Sequence, residues 1–168
     1  PYHAVTASGS YQAGRKLSLR ARGEMYWYEE AGVSTGLVEV DDQGWRGSIG
    51  ATFTASPKWT FDGSWLLDQG PAAPSSSYDL SATFQASERL QLSGYGGRLY
   101  RPLEFRYYDA TGTWVGARAA WAFADQMSLW GDGQYIKDDR DRPDAAATNW
   151  DQLRLRGVLH FDGRNLTN

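Results

Sequence analysis

At 168 residues, with 17 Lys and Arg against 20 Asp and Glu and no Cys, the chain suits one domain or part of a larger one, and disulfides, thiolate metal sites and a cysteine nucleophile are excluded. A formal charge of −3 argues against a nucleic-acid protein, an aromatic content of 14% argues against disorder, and no apolar run approaches the ~18 residues of a membrane-crossing helix. What stands out is eight Trp, ten Tyr and 19 Gly in a chain that is hydrophilic on average.

Helical periodicity is nearly absent, and alternation with period two runs through most of the sequence. A weak first strand sets Val5, Ala7, Gly9 and Tyr11 against Thr6, Ser8 and Ser10. The clearest run follows: Leu17, Leu19, Ala21, Gly23, Met25 and Trp27 alternate with Lys16, Ser18, Arg20, Arg22, Glu24 and Tyr26. The third places Trp45, Gly47, Ile49, Ala51 and Phe53 against Arg46, Ser48, Thr52 and Thr54. In the fourth, Trp59, Phe61, Gly63, Trp65 and Leu67 oppose Thr60, Asp62, Ser64 and Asp68. The fifth sets Tyr78, Leu80, Ala82 and Phe84 against Asp79, Ser81, Thr83 and Gln85. Leu90, Leu92, Gly94 and Gly96 then face away from Gln91, Ser93 and Tyr95. Val115, Ala117, Ala119, Trp121 and Phe123 oppose Arg118. Met127, Leu129, Gly131, Gly133 and Tyr135 oppose Ser128, Asp132 and Gln134. The ninth strand separates Leu153, Leu155, Gly157, Leu159 and Phe161 from Gln152, Arg154, Arg156 and His160.

Connections alternate in length. Short ones are expected at 13–15, 56–58, 87–89 and 124–126, and long ones at 29–43, 69–77, 98–112 and 137–149. Three short turns share a pattern, at Ala13-Gly14-Arg15-Lys16, Ala55-Ser56-Pro57-Lys58 and Ala86-Ser87-Glu88-Arg89. The Pro-, Ser- and Ala-rich stretch at 69–77 and the charge cluster from Lys137 to Asp144 suit solvated loops.

Strands with one apolar and one polar face, joined alternately by tight turns and long loops, resemble a bacterial outer-membrane β-barrel. The resemblance is one of pattern and covers nearly the whole chain, and no motif selects a subfamily. It implies an all-β fold, an antiparallel up-and-down transmembrane barrel with nine strands in this segment. The apolar faces would meet lipid, the polar faces would line a lumen, and the long loops would lie outside. Membrane lipid and lipopolysaccharide are the implied partners, with other subunits of an envelope complex a further option, in the bacterial outer membrane. Such barrels usually have an even strand number. Nine strands, and a chain opening at Pro1 without Met, lead to the expectation of a strand upstream and of a C-terminal part of a longer barrel.

On this reading Lys16, Arg20, Arg22, Glu24, Arg46, Asp62, Asp79, Arg118, Asp132, Arg154 and Arg156 line the lumen, with Asp68 among them. They either select solutes in a wide barrel or fill a narrow one with salt bridges. Their mixed signs argue against strong selectivity for either ion charge. Trp27, Trp45, Trp65, Tyr78, Tyr135 and Trp150 would form an aromatic belt toward the long loops, and Phe53, Trp59, Phe84 and Phe123 one toward the short turns. The expected activity is passive, as a porin-like conduit or scaffold, or as a sheath for a partner such as a multihaem cytochrome or an exported polysaccharide. No cofactor, metal or catalytic residue is expected. The Asp138, Asp139, Asp141 and Asp144 cluster is interrupted by Arg140 and Arg142 and lacks the spacing of a Ca²⁺ loop. Gly94-Tyr95-Gly96-Gly97 and Gly131-Asp132-Gly133 lack the Lys and helix start of a phosphate loop.

The competing reading is a soluble β-sandwich or barrel with an apolar interior, binding glycans through exposed aromatics. The long apolar faces of the third to fifth strands carry few large aliphatics, chiefly Ile49, Leu67 and Leu80, fewer than a soluble core would call for. An outer-membrane enzyme is a third class, and His3 and His160 have no Ser or Cys arrangement around them to support it.

Overall fold

A computed structural model describes residues 2–28, 43–70, 75–103, 108–140 and 149–161. They form nine strands: β1 (Tyr2–Ala13), β2 (Leu17–Tyr28), β3 (Gln43–Ser56), β4 (Trp59–Gln69), β5 (Ser75–Ser87), β6 (Leu90–Leu103), β7 (Tyr108–Ala124), β8 (Met127–Arg140) and β9 (Trp150–Phe161). All belong to one antiparallel sheet in unbroken sequence order, with β1 and β9 at its two edges among the described residues. The fold is therefore the all-β antiparallel meander that the alternation implies.

The four tight turns fall where expected, and three share a device. The register shifts by one residue between Thr54 and Ser56, between Gln85 and Ser87, and between Ala122 and Ala124. Each shift is a bulge beside a turn. Where the repeated Ala-Ser pair stands, the serine supplies the turn's acceptor. Ser56 Oγ takes the amides of Lys58 and Trp59, both at 3.2 Å, and Ser87 Oγ takes that of Arg89 at 3.3 Å. The turn carbonyl then accepts from the next hairpin: Thr54 N–H donates to Lys16, Gln85 N–H to Lys58 and Ala122 N–H to Arg89. Gly14 supplies the left-handed residue of the first turn, at φ 79°.

The long connections are shorter than the sequence suggests. The β6–β7 ladder continues to Leu103↔Tyr108 and the β7–β8 ladder to Ala110↔Arg140. The expected loop at 98–112 is thus mostly strand, as is the start of the one at 137–149. The physical reason is that the ladder is made by backbone groups, so it persists through Arg98-Leu99-Tyr100-Arg101-Pro102, where the sequence has no alternation. Asp138 and Asp139 lie on β8, and Asp141 and Asp144 lie outside the described residues.

The exposure of the two faces is inverted relative to a water-soluble sheet. Leu80 is 59% and Val115 60% exposed, whereas Tyr26 is 6% and Asp132 8% exposed. A single sheet has no second layer to cover either face. The enclosed groups lie on the polar face, where side chains bond to one another across strands, as at Tyr26–Asp68 and Tyr95–Asp132.

Replacing Ser56 by Ala removes one acceptor from two turn amides. Because water reaches this turn, the expected loss is at the low end for a hydrogen bond, about 0.5–1 kcal/mol, checked by equilibrium denaturation.

Candidate functional site

The polar face is built of rows that run across strands through the ladder. One row is Thr6–Glu24–Arg46–Asp68–Ser75. The next two strand positions along, another is Ser8–Arg22–Ser48–Leu66–Ser77. Glu24 sits between two guanidiniums, 3.0 Å from Arg22 Nη2 and 3.8 Å from Arg46 Nη1. Arg46 donates to Asp68 Oδ2 through Nε at 2.9 Å and Nη2 at 2.7 Å, and the Tyr26 hydroxyl donates to the other Asp68 oxygen at 2.9 Å. Every carboxylate of this cluster is satisfied from at least one neighbouring strand.

A second cluster joins β2 to β4 over the top of β3. Arg20 donates to both oxygens of Asp62 at 2.8 Å, a bidentate pair, and Thr52 Oγ1 accepts from Arg20 at 3.0 Å while donating to Asp62 at 2.6 Å. The residue lying between is Gly50, in register with Arg20. A Cβ there would stand 2.6 Å from Arg20 Nε, so with glycine the guanidinium crosses in this position without having to shift.

The third cluster repeats this arrangement on β6–β8. The Tyr95 hydroxyl reaches over β7 to donate to Asp132 Oδ2 at 2.7 Å. It passes above Gly116, where a Cβ would lie 2.5 Å from Tyr95 Cζ. Arg118 Nε is 3.5 Å from the same Asp132 oxygen. Its Cζ lies 5.5 Å from the Tyr95 ring centre and 5.3 Å from that of Trp130, and Arg156 Cζ lies 5.4 Å from Trp130. The two arginines flank Asp132 in register, Arg118 on β7 and Arg156 on β9.

Comparison with protein-family models and with curated proteins finds no match. Among solved structures, the chain is similar to the open form of the ferric-catecholate import receptor Fiu from E. coli K12, at a TM-score of 0.49 and 14% identity. The likeness covers 94% of this chain and 33% of that receptor, so the chain spans about a third of its length.

Ten of the eleven expected lumen residues stand on strands, and the ladder puts all ten on one face. Asp79 joins the row of Arg20 through Gly50 and Ser64, and Arg154 is in register with Gln134, with its Nε 2.9 Å from Gln152 Oε1. Lys16 is the exception. It precedes β2 and its ammonium donates to the Ala55 carbonyl at 3.1 Å, so it belongs to the turns.

On the other face the aromatic rings fall in two bands. Toward the short turns, Trp59 stacks on Phe84 at 4.6 Å and on Phe61 at 5.9 Å, Phe123 lies 5.4 Å from Trp121, and Phe53 is in register with Phe61. Toward the long connections, Trp27 stacks on His3 at 5.7 Å, Trp65 is in register with Tyr78 and donates to Ser76 Oγ at 3.0 Å, the Tyr135 hydroxyl donates to Asp151 at 3.3 Å, and Trp45 lies beside Met25. Trp150 departs from the expected belt. It is in register with Asp138, and no bulge separates it from Gln152, Arg154 and Arg156, so it shares their face. Sequence reading also overlooked Trp130, two positions before Asp132 on the same face. Its parity was the available signal, masked by the apolar character of its side chain.

Gly116→Ala should displace the Tyr95 ring from Asp132 and lower the unfolding free energy by about 1–3 kcal/mol. Gly131→Ala faces no heavy atom within 4 Å and should stay within about 0.5 kcal/mol of the parent. Equilibrium denaturation of the two variants checks the contrast.

Proposed function

We propose that the chain forms the wall of a bacterial outer-membrane β-barrel, with its apolar face in lipid and its polar face around a wet lumen. The observation that carries this reading is the inverted exposure: apolar side chains such as Leu80 and Val115 point outward, while Asp132 and Tyr26 are enclosed. A soluble sandwich needs the opposite arrangement, because burying apolar area is what drives its folding. A lipid-facing sheet needs this one, because hydrocarbon solvates the outward residues and the backbone is satisfied by its ladder.

The two aromatic bands support the same setting. Trp45 and Phe53 are separated by roughly 27 Å of strand, or about 20 Å of height at the usual ~40° tilt. That is close to the ~25 Å apolar band of such barrels. Rings at both borders suit the interfaces, where the indole N–H finds polar partners and the ring body stays in hydrocarbon. Lipid and lipopolysaccharide are the partners that follow.

The lumen holds no constellation for covalent chemistry among the described residues, and no group of three metal-ligating side chains. The function that fits its ion-paired wall is passive: a porin-like conduit for polar solutes, or a scaffold enclosing a partner. In planar bilayers a conduit gives ion conductance, and Arg20, Arg22 and Arg154 truncated to Ala should shift its reversal potential.

The membrane setting has a sharper test. Leu80→Arg, at the middle of β5 on the apolar face, should cost about 2–4 kcal/mol in a bilayer. Ser81→Arg, its neighbour on the polar face, should be tolerated within about 1 kcal/mol. A sheet with this face in water would accept arginine at the 59% exposed Leu80 with little loss, whereas a sandwich that buries the face would be set apart by staying monodisperse without detergent. Equal stability of the two variants, or a chain that stays monodisperse without detergent, would sink the membrane reading.

A further inference from the structure

The charges of the polar face are balanced on one half and not on the other. On β2–β4, Arg20, Arg22 and Arg46 face Glu24, Asp62 and Asp68, and each of those carboxylates has a guanidinium within 3.8 Å. On β7–β9, Arg118, Arg154 and Arg156 occupy neighbouring rows with Asp132 alone between them. Asp132 is engaged by Tyr95 and Arg118. Asp138 faces the same way but stands about 20 Å farther along β8. Among the described residues, no carboxylate lies within ion-pair distance of Arg154 or Arg156.

We propose that this end of the polar face is an oxyanion-binding subsite, in which Arg154 and Arg156, backed by Arg118, take the carboxylate or phosphate group of a solute. The proposal rests on the lumen reading for what reaches the site, and on the arginines alone for its chemistry. Three arginines against one carboxylate repel one another, and a bound anion relieves that repulsion. Trp130 holds two of them. Arg118 and Arg156 both lie against its ring, a contact that favours guanidinium and limits its freedom. Among the described residues no carboxylate occupies the N–H edge of Arg156, and Arg154 gives only its Nε, to the Gln152 oxygen. That edge is the fork that matches carboxylate and phosphate oxygens in pairs. Arg154 and Arg156 alternate on one face of β9, so their Cα atoms stand about 7 Å apart, near enough for one anionic group to meet both long side chains. Where this face needs cations only to hold strands together, it pairs them, as Arg20 does with Asp62. The β9 arginines break that pattern.

The test is a calorimetric titration of the detergent-folded protein with inorganic phosphate, repeated in micelles doped with phosphatidylglycerol. Phosphate should bind saturably. Arg154→Gln with Arg156→Gln should weaken it about tenfold or more, the loss expected for one charge-assisted hydrogen bond at the least. Arg156→Lys keeps the charge but loses the fork, and should fall between. Arg89→Gln, which removes one positive charge at a short turn where Arg89 pairs with Asp125, should leave affinity within about twofold, since screening confines its field to about 10 Å. Circular dichroism confirms that each variant is folded. Absence of phosphate binding overturns the proposal and points to carboxylates that already neutralise β9. Equal weakening by Arg89→Gln overturns it in favour of a diffuse field. Phosphatidylglycerol competing with phosphate, through the same arginines, supports the subsite and makes the anion a lipid headgroup. That result overturns the lumen reading alone, as does monodispersity without detergent, and the phosphate arm still decides the subsite.

Discussion

The ladder between consecutive antiparallel strands is the constraint on which everything else in this sheet depends. Side chains alternate faces, so a slip of one residue in any pair would move a whole strand's apolar set to the wrong side. The described ladder runs from β1 to β9 in order, and its shifts lie only beside the short turns, at Thr54/Ser56, Gln85/Ser87 and Ala122/Ala124. Between them the register is unbroken, so a polar row can begin at Ser10, pass through Arg20 and Gly50, and reach Asp79 on β5. Bulges placed at the turns change the twist there without disturbing the rows.

The ion pairs are not what holds the sheet together. Arg20 and Asp62 are 45% and 39% exposed in their side chains, and a pair that wet contributes at most about 1 kcal/mol. Their effect is on specificity. Arg20 reaches Asp62 across Gly50, and Tyr95 reaches Asp132 across Gly116, so each bridge ties strands that are not neighbours. The larger energetic contribution belongs to the backbone ladder. In the proposed bilayer setting that ladder has no competing water, which is why a sheet without an apolar core can persist there.

Strand count and facing were legible because each strand keeps its alternation over a dozen residues or so. From Leu17 to Tyr28, for example, no position breaks the pattern of apolar or small against polar. Legibility failed where side-chain type and parity disagree. Trp150 and Trp130 look like apolar-face residues and stand on the polar face; at Trp130 the ring lies beneath two arginines, because a tryptophan can serve as a surface for guanidinium as readily as it can meet lipid. It failed again at 98–112, where the backbone ladder continues through residues whose sequence has no alternation. Gly50 and Gly116 were invisible for a different reason. A glycine's role here is defined by a side chain on another strand, and only the register between Arg20 and Gly50, or between Tyr95 and Gly116, reveals it.

Register also changes what the charges mean. Taken as a composition, a polar face with arginines, aspartates and a glutamate has mixed signs and no strong preference. A field, however, depends on where charges sit and not on their sum. The strand order sorts them: the acids of β2–β4 each meet an arginine, Asp79 adds a negative charge on β5, and three arginines gather around Asp132 on β7–β9, with Asp138 well apart along β8. Neutral composition and a polarised surface therefore coexist in one sheet. The cause is topological, since a meander lays its strands side by side in chain order and so converts the order of charges along the sequence into a gradient across the face.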